Sequence, residues 1–349
     1  MIQNVIFKVI FILTILIFIN CKQQADFPAP KSPYLGQKPP GTTPELFAPG
    51  KISQAGFELH SSLAISHDGK EIYFAQLVKD EDRPRNVILL IKYDQKRWIG
   101  PEVASFSGTY DDAGPSISAN GKRLYFSSNR PIKEGGEVKQ DRDIWYLVKR
   151  DGSWSEPRHL AGPVNSELTE GAVSVSQKGT MYFYRNVGRD HGWGDIFRSS
   201  LIQDEWTEPE RLGAPISTEE FECFPVIAPD EHFLIFYARN GSEGTGQYVC
   251  FRQSEGTWTA PIHMGESING GAVAFCSSYS PDGKYFFVLR RRSDSIAASP
   301  EDFKEGIYWV DAKIIEKLKP DYLKCKRHKT QQRTMKGLSS FNPNLSTFF

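Results

Sequence analysis

The chain has few cysteines and no net charge, and each shortage excludes a class of function. Of its five cysteines, the four other than Cys21 form no C-x-x-C pair and have no histidine at ligand spacing, so we expect buried free thiols and no thiolate metal site. The 42 basic and 42 acidic residues balance, so no overall field draws in nucleic acid or an anionic surface. The sequence therefore predicts no nucleic-acid partner.

Motifs for common cofactors and nucleophiles are also missing. The chain contains no G-x-S-x-G elbow, no H-E-x-x-H pair, no P-loop and no dinucleotide fingerprint. We therefore expect no organic cofactor and assign no catalytic residue from motifs.

The N-terminus indicates export. An apolar run from Val9 to Ile19 is too short to span a bilayer but fits a signal-peptide core, and Cys21 follows it directly. This arrangement resembles a bacterial lipobox of the Bacteroidetes type, although Asn20 replaces the usual small residue. The resemblance implies a signal peptide at 1–20, lipidation of Cys21 and a lipid anchor in the outer membrane, facing the periplasm or the cell surface. An ordinary cleaved signal or a simple N-terminal anchor is the alternative.

Proline is concentrated just after this segment. Residues 21–43 contain five prolines, a composition that favours an extended, poorly packed chain. We expect residues 21–43 to act as a tether between the membrane and the folded part.

A β-hairpin pattern then repeats five times. In three copies an Asp-Gly or Asn-Gly pair separates two strands, at Asp68-Gly69, Asn120-Gly121 and Asp282-Gly283. Two copies, near Gly179 and Glu231, are degenerate. Such pairs tolerate positive φ at both central positions of a two-residue turn and are a strong hairpin signal. Repetition of the hairpin indicates a repeated architecture.

Each repeat continues beyond the hairpin. A third strand follows a variable loop, and then comes a Trp with a Pro three residues later, at Trp98, Trp154, Trp206 and Trp258. The Trp spacing of 52 to 56 residues is typical of a four-stranded propeller blade, with Pro on the outer edge strand. The sequence predicts an all-β protein, a single propeller of five blades, each with four antiparallel strands; six blades is the alternative.

The fifth repeat has no Trp-x-x-Pro motif after its third strand and no fourth strand of its own. We expect the segment from Pro44 to Ser53 to pair with its third strand, which would close the ring and protect the sheet edges. The propeller would then span 44–320, with a short amphipathic helix at 311–319 ended by Pro320. Residues 321–349 are basic and aperiodic, which predicts a disordered tail.

These motifs together resemble a known repeat. The pattern Ser-x-Asp-Gly-Lys-x-x-Tyr-Phe, followed by Ser127 to Pro131 and Asp143 to Tyr146, is similar to the WD-like β-propeller repeat of TolB-like proteins. The resemblance covers roughly residues 44–320 and implies a propeller fold, whereas the family is too broad to imply one activity.

Acidic residues recur where each first strand begins. They are Glu58, Asp112, Glu170 and Glu222, and the fifth repeat has Ala274 instead. Because innermost strands line the axis, these carboxylates could meet at the channel mouth as an acid and a nucleophile of a glycoside hydrolase or lyase. Ca²⁺ bound by the same oxygens is a variant of this hypothesis. Residues that recur in every blade are more often structural, and Arg130, Arg185, Arg239 and Arg290 recur on the same face, ready to pair with the carboxylates or to contact a ligand.

A feature that does not repeat is the better candidate for binding. His191 and Trp193 form a ring pair on a glycine-rich loop, apt for stacking on a sugar or docking a peptide; the alternative is packing against a neighbouring blade. The sequence thus favours a monomeric, lipid-anchored envelope module that binds a protein or carbohydrate without catalysis. A glycoside hydrolase or lyase is the second hypothesis.

Overall fold

The five hairpins fold into five small antiparallel sheets arranged around one axis in a computed structural model. The structure describes residues 34–54, 58–61, 63–79, 83–189, 193–240, 244–270, 273–291 and 305–324. Blade 1 contains β2 (Glu58–Leu59), β3 (Ala64–Ile65), β4 (Glu71–Val78), β5 (Arg85–Asp94) and β6 (Arg97–Val103). Blade 2 contains β7 (Asp112–Ile117), β8 (Arg123–Ser128), β9 (Asp143–Arg150), β10 (Ser153–Trp154) and β11 (Arg158–His159).

The remaining blades repeat this order. Blade 3 contains β12 (Glu170–Val175), β13 (Thr180–Arg189), β14 (Trp193–Ile202), β15 (Glu205–Trp206) and β16 (Glu210–Arg211). Blade 4 contains β17 (Glu222–Ile227), β18 (Phe233–Asn240), β19 (Gly244–Phe251) and β20 (Ile262–His263). Blade 5 contains β21 (Val273–Tyr279), β22 (Tyr285–Arg291), β23 (Glu305–Asp311) and, from the start of the chain, β1 (Glu45–Leu46).

The ring closes as predicted. Strand β1 pairs antiparallel with β23, with Glu45 opposite Trp309 and Leu46 opposite Tyr308. Next to it, Phe47 is fully buried and packs edge-on against Phe287, with ring centroids 5.2 Å apart. Further toward the N-terminus, Tyr34 donates a hydrogen bond to Asp282 at 3.0 Å. The five-blade prediction is confirmed, and six blades is wrong.

Proline divides the outer strand in blades 2 and 3. Pro157 lies between β10 and β11, and Pro209 lies between β15 and β16. Because proline has no N–H to donate, the ladder is interrupted there and resumes at the next residue. In blade 1 the outer strand continues through Pro101.

The repeated tryptophans seal the contacts between blades. Each packs, partly buried, on an apolar cluster shared by its own blade and the one before it. Trp154 also donates from Nε1 to the Glu71 carboxylate of blade 1 at 3.2 Å. Between blades 4 and 5 no tryptophan is available, and Ile314 and Ile315 pack into the equivalent cluster.

Three short α-helices complete the described structure. They are α1 (Glu266–Asn269), α2 (Lys313–Leu318) and α3 (Asp321–Lys324), and a 3₁₀ turn covers Tyr34–Gly36. Helix α2 falls within the range expected from the sequence, and α3 continues helical structure into the segment expected to be disordered. Residues 1–33 and 325–349 lie outside the described residues, as does Cys21.

The hairpin turns differ from the predicted two-residue type. In blade 1 the N–H of Gly69 donates to the carbonyl of Ser66 at 2.8 Å, and only Gly69 has positive φ. The Ser66 hydroxyl and the Asp68 carboxylate accept the backbone N–H of Lys70. Blades 2 and 5 repeat this pattern. Asp and Asn are therefore used here as side-chain acceptors, and only glycine supplies the left-handed conformation.

Blade 4 places Glu231 at the left-handed position, with φ of 63°. The buried carboxylate accepts a hydrogen bond from the Ser176 hydroxyl at 2.8 Å and lies 3.3 Å from Arg252. These contacts with blade 3 and with the third strand of blade 4 offset the strain of a non-glycine residue in this conformation.

Candidate functional site

The innermost strands line a channel along the axis. They are β7, β12, β17, β21 and the short pair β2 and β3, and neighbouring ones contact each other around the ring. The channel encloses about 290 Å³ and runs between the two faces of the disk. We call the face where the inner strands begin the mouth face, and the opposite face, with the hairpin turns, the turn face.

The turn face is tied together by bonds between blades. The N–H of Gln177 in blade 3 donates to the carbonyl of Pro229 in blade 4 at 2.8 Å, and His67 of blade 1 hydrogen-bonds the carbonyl of Ala119 in blade 2. The second strands end and the third strands begin at the mouth face, and scaffolds commonly carry their binding residues on the connections between such strands.

Four inner strands share a β-bulge. The residue in the left-handed region is Gly114, Ala172, Phe224 or Cys276, with φ of 59°, 50°, 53° and 36°. The pairing register shifts at each of these places. Bulges redirect side chains and are common beside functional sites. Here they set the lining of the channel halfway along its length.

The recurring carboxylates at the strand starts are mostly buried and bonded. Asp112 accepts a hydrogen bond from Arg130 at 2.8 Å and from the Ser107 hydroxyl at 2.8 Å. Glu170 accepts from Arg185 at 2.8 Å and from the Ser166 hydroxyl. These two carboxylates form arginine pairs inside the blades.

The other two carboxylates have different partners. Glu222, also buried, accepts from the backbone N–H and the hydroxyl of Thr218 at 3.0 and 2.6 Å. Glu58 is partly exposed and pairs with Lys79. Of the four, only Glu170 lines the channel as far as the described residues extend.

Burial and pairing act in opposite directions on these groups. Burial raises the pKa of Asp112, Glu170 and Glu222 above the usual carboxylate values, and the bonded arginine or hydroxyl groups reduce that rise. At Glu58 the hydrogen bond from Lys79 lowers the pKa.

The remaining two arginines of the predicted set pack on rings. The Arg239 guanidinium lies 5.8 Å from the Phe221 ring centroid, and the Arg290 guanidinium lies 4.9 Å from that of Tyr308. Arg290 also donates to the carbonyl of Gly270. His191 lies outside the described residues; Trp193 begins β14, and the structure does not describe its side chain.

A repeated set of polar residues joins consecutive blades, and the sequence reasoning missed it. In every blade a backbone N–H near the start of the third strand donates to a side chain in the segment leading to the next blade, at 2.7 to 3.1 Å. The acceptors, which we call the connector residues, are Ser53, Ser107, Asn165, Ser217 and Asn269. An apolar residue precedes each of them, so the signal was present in the sequence as Ile52-Ser53, Phe106-Ser107, Val164-Asn165, Ile216-Ser217 and Ile268-Asn269.

Three side chains from three different blades collect at the mouth. His60 from blade 1, Arg142 from the start of β9, and Tyr184 from β13 all line the channel. Arg142 donates twice to the Asp111 carboxylate, from Nε at 2.8 Å and from Nη2. The other Asp111 oxygen accepts from Asn86, both backbone and side chain, at 2.8 Å. No sequence signal pointed to this group, because its members come from three separate segments.

The mouth face also carries most of the exposed aliphatic side chains. Five of the eight large exposed hydrophobics within the described ranges lie there: Val78, Ile132, Val138, Leu168 and Val273. Ile132 is 54% exposed and Val138 44% exposed. They come from four of the five blades, at the ends of strands and in the connections on the mouth face. We call this set the apolar rim.

Metal ligation and membrane crossing find no support in the described part of the chain. Its His, Cys, Asp and Glu side chains form no group of three suited to a metal ion. Its helices include none with the length and apolarity needed to cross a bilayer. Cys223, Cys250 and Cys276 are buried free thiols.

Comparisons with known proteins give similarity in fold. The chain matches no protein-family model, and no curated protein sequence matches it. Among solved structures, a TolB-like protein from Agrobacterium tumefaciens is 16% identical, with 74% of this chain and 78% of that chain covered and a TM-score of 0.45. A protein of unknown function from Dyadobacter fermentans is 15% identical, with 78% and 83% covered and a TM-score of 0.44.

A third neighbour is an enzyme-family protein. The GH43 protein BlXynB from Bacillus licheniformis is 12% identical, with 76% of this chain and 57% of that chain covered and a TM-score of 0.42. At such identities and TM-scores these likenesses assign no activity to this chain.

Proposed function

We propose that this protein is a lipid-anchored propeller of the cell envelope that binds a protein partner through its mouth face. The observation that carries the proposal is the apolar rim on the face where the channel opens. Exposed apolar surface gathered on one face of a folded monomer is characteristic of an interaction site. Aliphatic side chains suit a protein surface better than a sugar, which stacks on aromatic rings.

The distribution of charge supports binding over catalysis. Asp112 and Glu170 are bonded to arginines within the blades, and Glu222 is held by Thr218. A pair of glycosidase carboxylates has to flank a substrate. Carboxylates that are already hydrogen-bonded within the blades are poorly placed to flank a substrate.

Features of the sequence support the proposed location. The apolar run before Cys21 and the proline-rich segment after it support export, lipidation of Cys21 and a flexible link to the outer membrane. Mass spectrometry of the mature N-terminus tests this part separately, and an unmodified Cys21 would contradict it.

The binding proposal is tested with matched surface variants. Three forms of the full chain are compared: the wild type, Ile132→Asp/Val138→Asp and Ile202→Asp. Each form is tested for capture of envelope proteins and, in a parallel experiment, for binding to a glycan array. Ile202 is 58% exposed but lies at the turn-face end of β14, so it controls for loss of an exposed apolar group. We expect the wild type to capture one envelope protein. The Ile132→Asp/Val138→Asp variant should capture at least tenfold less of that protein, and Ile202→Asp should capture as much as the wild type.

Two results would contradict the proposal. Capture that is equal in all three forms would remove the rim as the binding surface. A glycan bound by the wild type and lost in the rim variant would identify the ligand as carbohydrate.

A glycoside hydrolase remains the second candidate because of one residue. Glu170 lines the channel, and burial raises its pKa, as is typical of a general acid. Turnover of a glycan panel by the wild type and its loss in a folded Glu170→Gln variant would favour this function over the binding module.

A further inference from the structure

Three hydrogen-bond donors at the channel mouth have no acceptor within the described structure. Arg142 uses Nε and Nη2 on Asp111, which leaves Nη1 without an acceptor. The imidazole of His60 and the hydroxyl of Tyr184 make no hydrogen bond to other described side chains or backbone groups. All three residues line the same channel, where the His60 side chain is surrounded by protein atoms yet remains accessible to solvent.

Arg142 is the centre of this group. It interacts electrostatically with both His60 and Tyr184. Asp111 fixes its orientation, since one Asp111 oxygen is occupied by Asn86 and the other by Arg142. A guanidinium held from one side by a carboxylate presents its remaining N–H groups in a defined direction.

The local field favours an anion. Burial and then the charges of Arg142 and Arg291 lower the pKa of His60, while Asp111 and Glu58 act against them more weakly. Among the charges that act on the imidazole, the two arginines therefore outweigh the two carboxylates. Arg291 is itself bonded to Glu305 by two hydrogen bonds of 3.0 and 3.2 Å, and Lys79 to Glu58, so their donors are committed within the protein.

We propose that His60, Arg142 and Tyr184 form a carboxylate-binding site that receives an acidic side chain of the protein partner. One guanidinium edge, one imidazole and one hydroxyl match the lone pairs of a single carboxylate. The surrounding space suits the aliphatic stem of Glu, because small and apolar residues such as Ala113, Ala172 and Val173 line the channel. The apolar rim would hold the partner's surface around this anchor.

This inference deepens the proposed function and rests on it. It predicts that the partner inserts an acidic segment into the channel and that removal of Arg142 weakens binding more than removal of an arginine elsewhere. A matched control is Arg198, which is about as exposed and is bonded to Glu210 on an outer strand.

The test uses two fluorescent peptides and the full chain. The probes are acetyl-Leu-Gly-Glu-Gly-Leu-amide and its Gln counterpart, each labelled with a fluorophore, and binding is measured by anisotropy. We expect the wild type to bind the Glu peptide at least tenfold more tightly than the Gln peptide. Arg142→Gln and Tyr184→Phe should abolish this preference, and Arg198→Gln should keep it.

Other outcomes overturn the inference in distinct ways. Equal binding of the two peptides by the wild type, or a preference that survives Arg142→Gln, removes the carboxylate site. Binding of a galacturonate trimer but of neither peptide would make the ligand an acidic glycan. If the rim variant loses partner capture but Arg142→Gln does not, the proposed function stands and this inference fails.

Discussion

Two sets of charged residues lie at the mouth face, and they differ in whether they repeat. The buried pair of Asp112 with Arg130 in blade 2 repeats as Glu170 with Arg185 in blade 3, and both carboxylates are bonded inside the protein. Arg142 and His60 do not repeat and Tyr184 repeats only as Tyr237 of blade 4; the three line the channel, each with a donor that no described group accepts. Repetition in a propeller therefore marks residues that build blades, whereas departure from it marks residues that are available to a ligand.

The largest effect should come from breaking a repeated pair. Arg130→Met would leave Asp112 buried without its charged partner, which typically costs about 3–5 kcal/mol in the free energy of unfolding. Chemical denaturation measures this loss. The double variant Asp112→Leu/Arg130→Met should recover most of it, because two packed apolar side chains replace the pair. A loss below about 1 kcal/mol for the single variant would contradict a structural role.

A connector residue should give a smaller loss. Asn165 accepts the N–H of Ile144 at 2.7 Å and donates to the carbonyls of Ile144 and Leu160 at 3.1 and 3.0 Å. Asn165→Ala leaves the Ile144 N–H and the Leu160 carbonyl without this partner, whereas the Ile144 carbonyl keeps its bond from the Leu160 N–H, and we expect a loss of roughly 2–3 kcal/mol by the same measurement. Ser217→Ala in the next blade should lose stability in the same direction. Stability unchanged in both variants would show that the connectors are dispensable.

Substitution of Arg142 in the channel should change ligand binding and leave stability nearly unchanged. Arg142 and Asp111 are about one quarter exposed, at 27% and 22%, and partly exposed ion pairs contribute at most about 1 kcal/mol. Arg142→Gln should therefore leave the unfolding free energy within about 1 kcal/mol of wild type while it abolishes the preference for the Glu peptide. A variant as unstable as Arg130→Met would place Arg142 with the structural residues.

The smallest effect concerns pH. Because the pKa of His60 is lowered in the folded state, the unfolded chain binds the proton more readily around and below the ordinary histidine value. Wild-type stability should thus fall slightly relative to His60→Gln as the pH drops from 7.5 to 5. Parallel denaturation curves at both pH values measure the difference, and a relative gain at low pH would contradict the assigned environment.

The sequence predicted the ring well because its signals are local or repeated. Turns such as Asp68-Gly69, tryptophans such as Trp154 and the segment that begins at Glu45 all have counterparts at similar intervals along the chain. Each of these signals depends on the conformation of a few neighbouring residues, so it can be read without knowledge of the tertiary structure. The connector residues were equally predictable from the apolar-then-Ser/Asn pattern but were overlooked.

The site was less predictable for a physical reason. Arg142, His60 and Tyr184 come together only when three blades are placed around the axis, and no spacing in the chain encodes that distance. The recurring carboxylates were expected to converge at the mouth, but hydroxyl groups of Ser107 and Thr218 hold two of them within the blade edge. The proposed role of His191 and Trp193 stays a prediction.

The contact between Tyr34 and Asp282 determines which way the protein would point. Asp282 belongs to a hairpin turn, so the polypeptide joins the disk on the side opposite the channel opening. With a lipid on Cys21, as proposed, the tether would attach to the disk at its turn face. The mouth face would then point away from the bilayer, toward molecules that approach from the aqueous side.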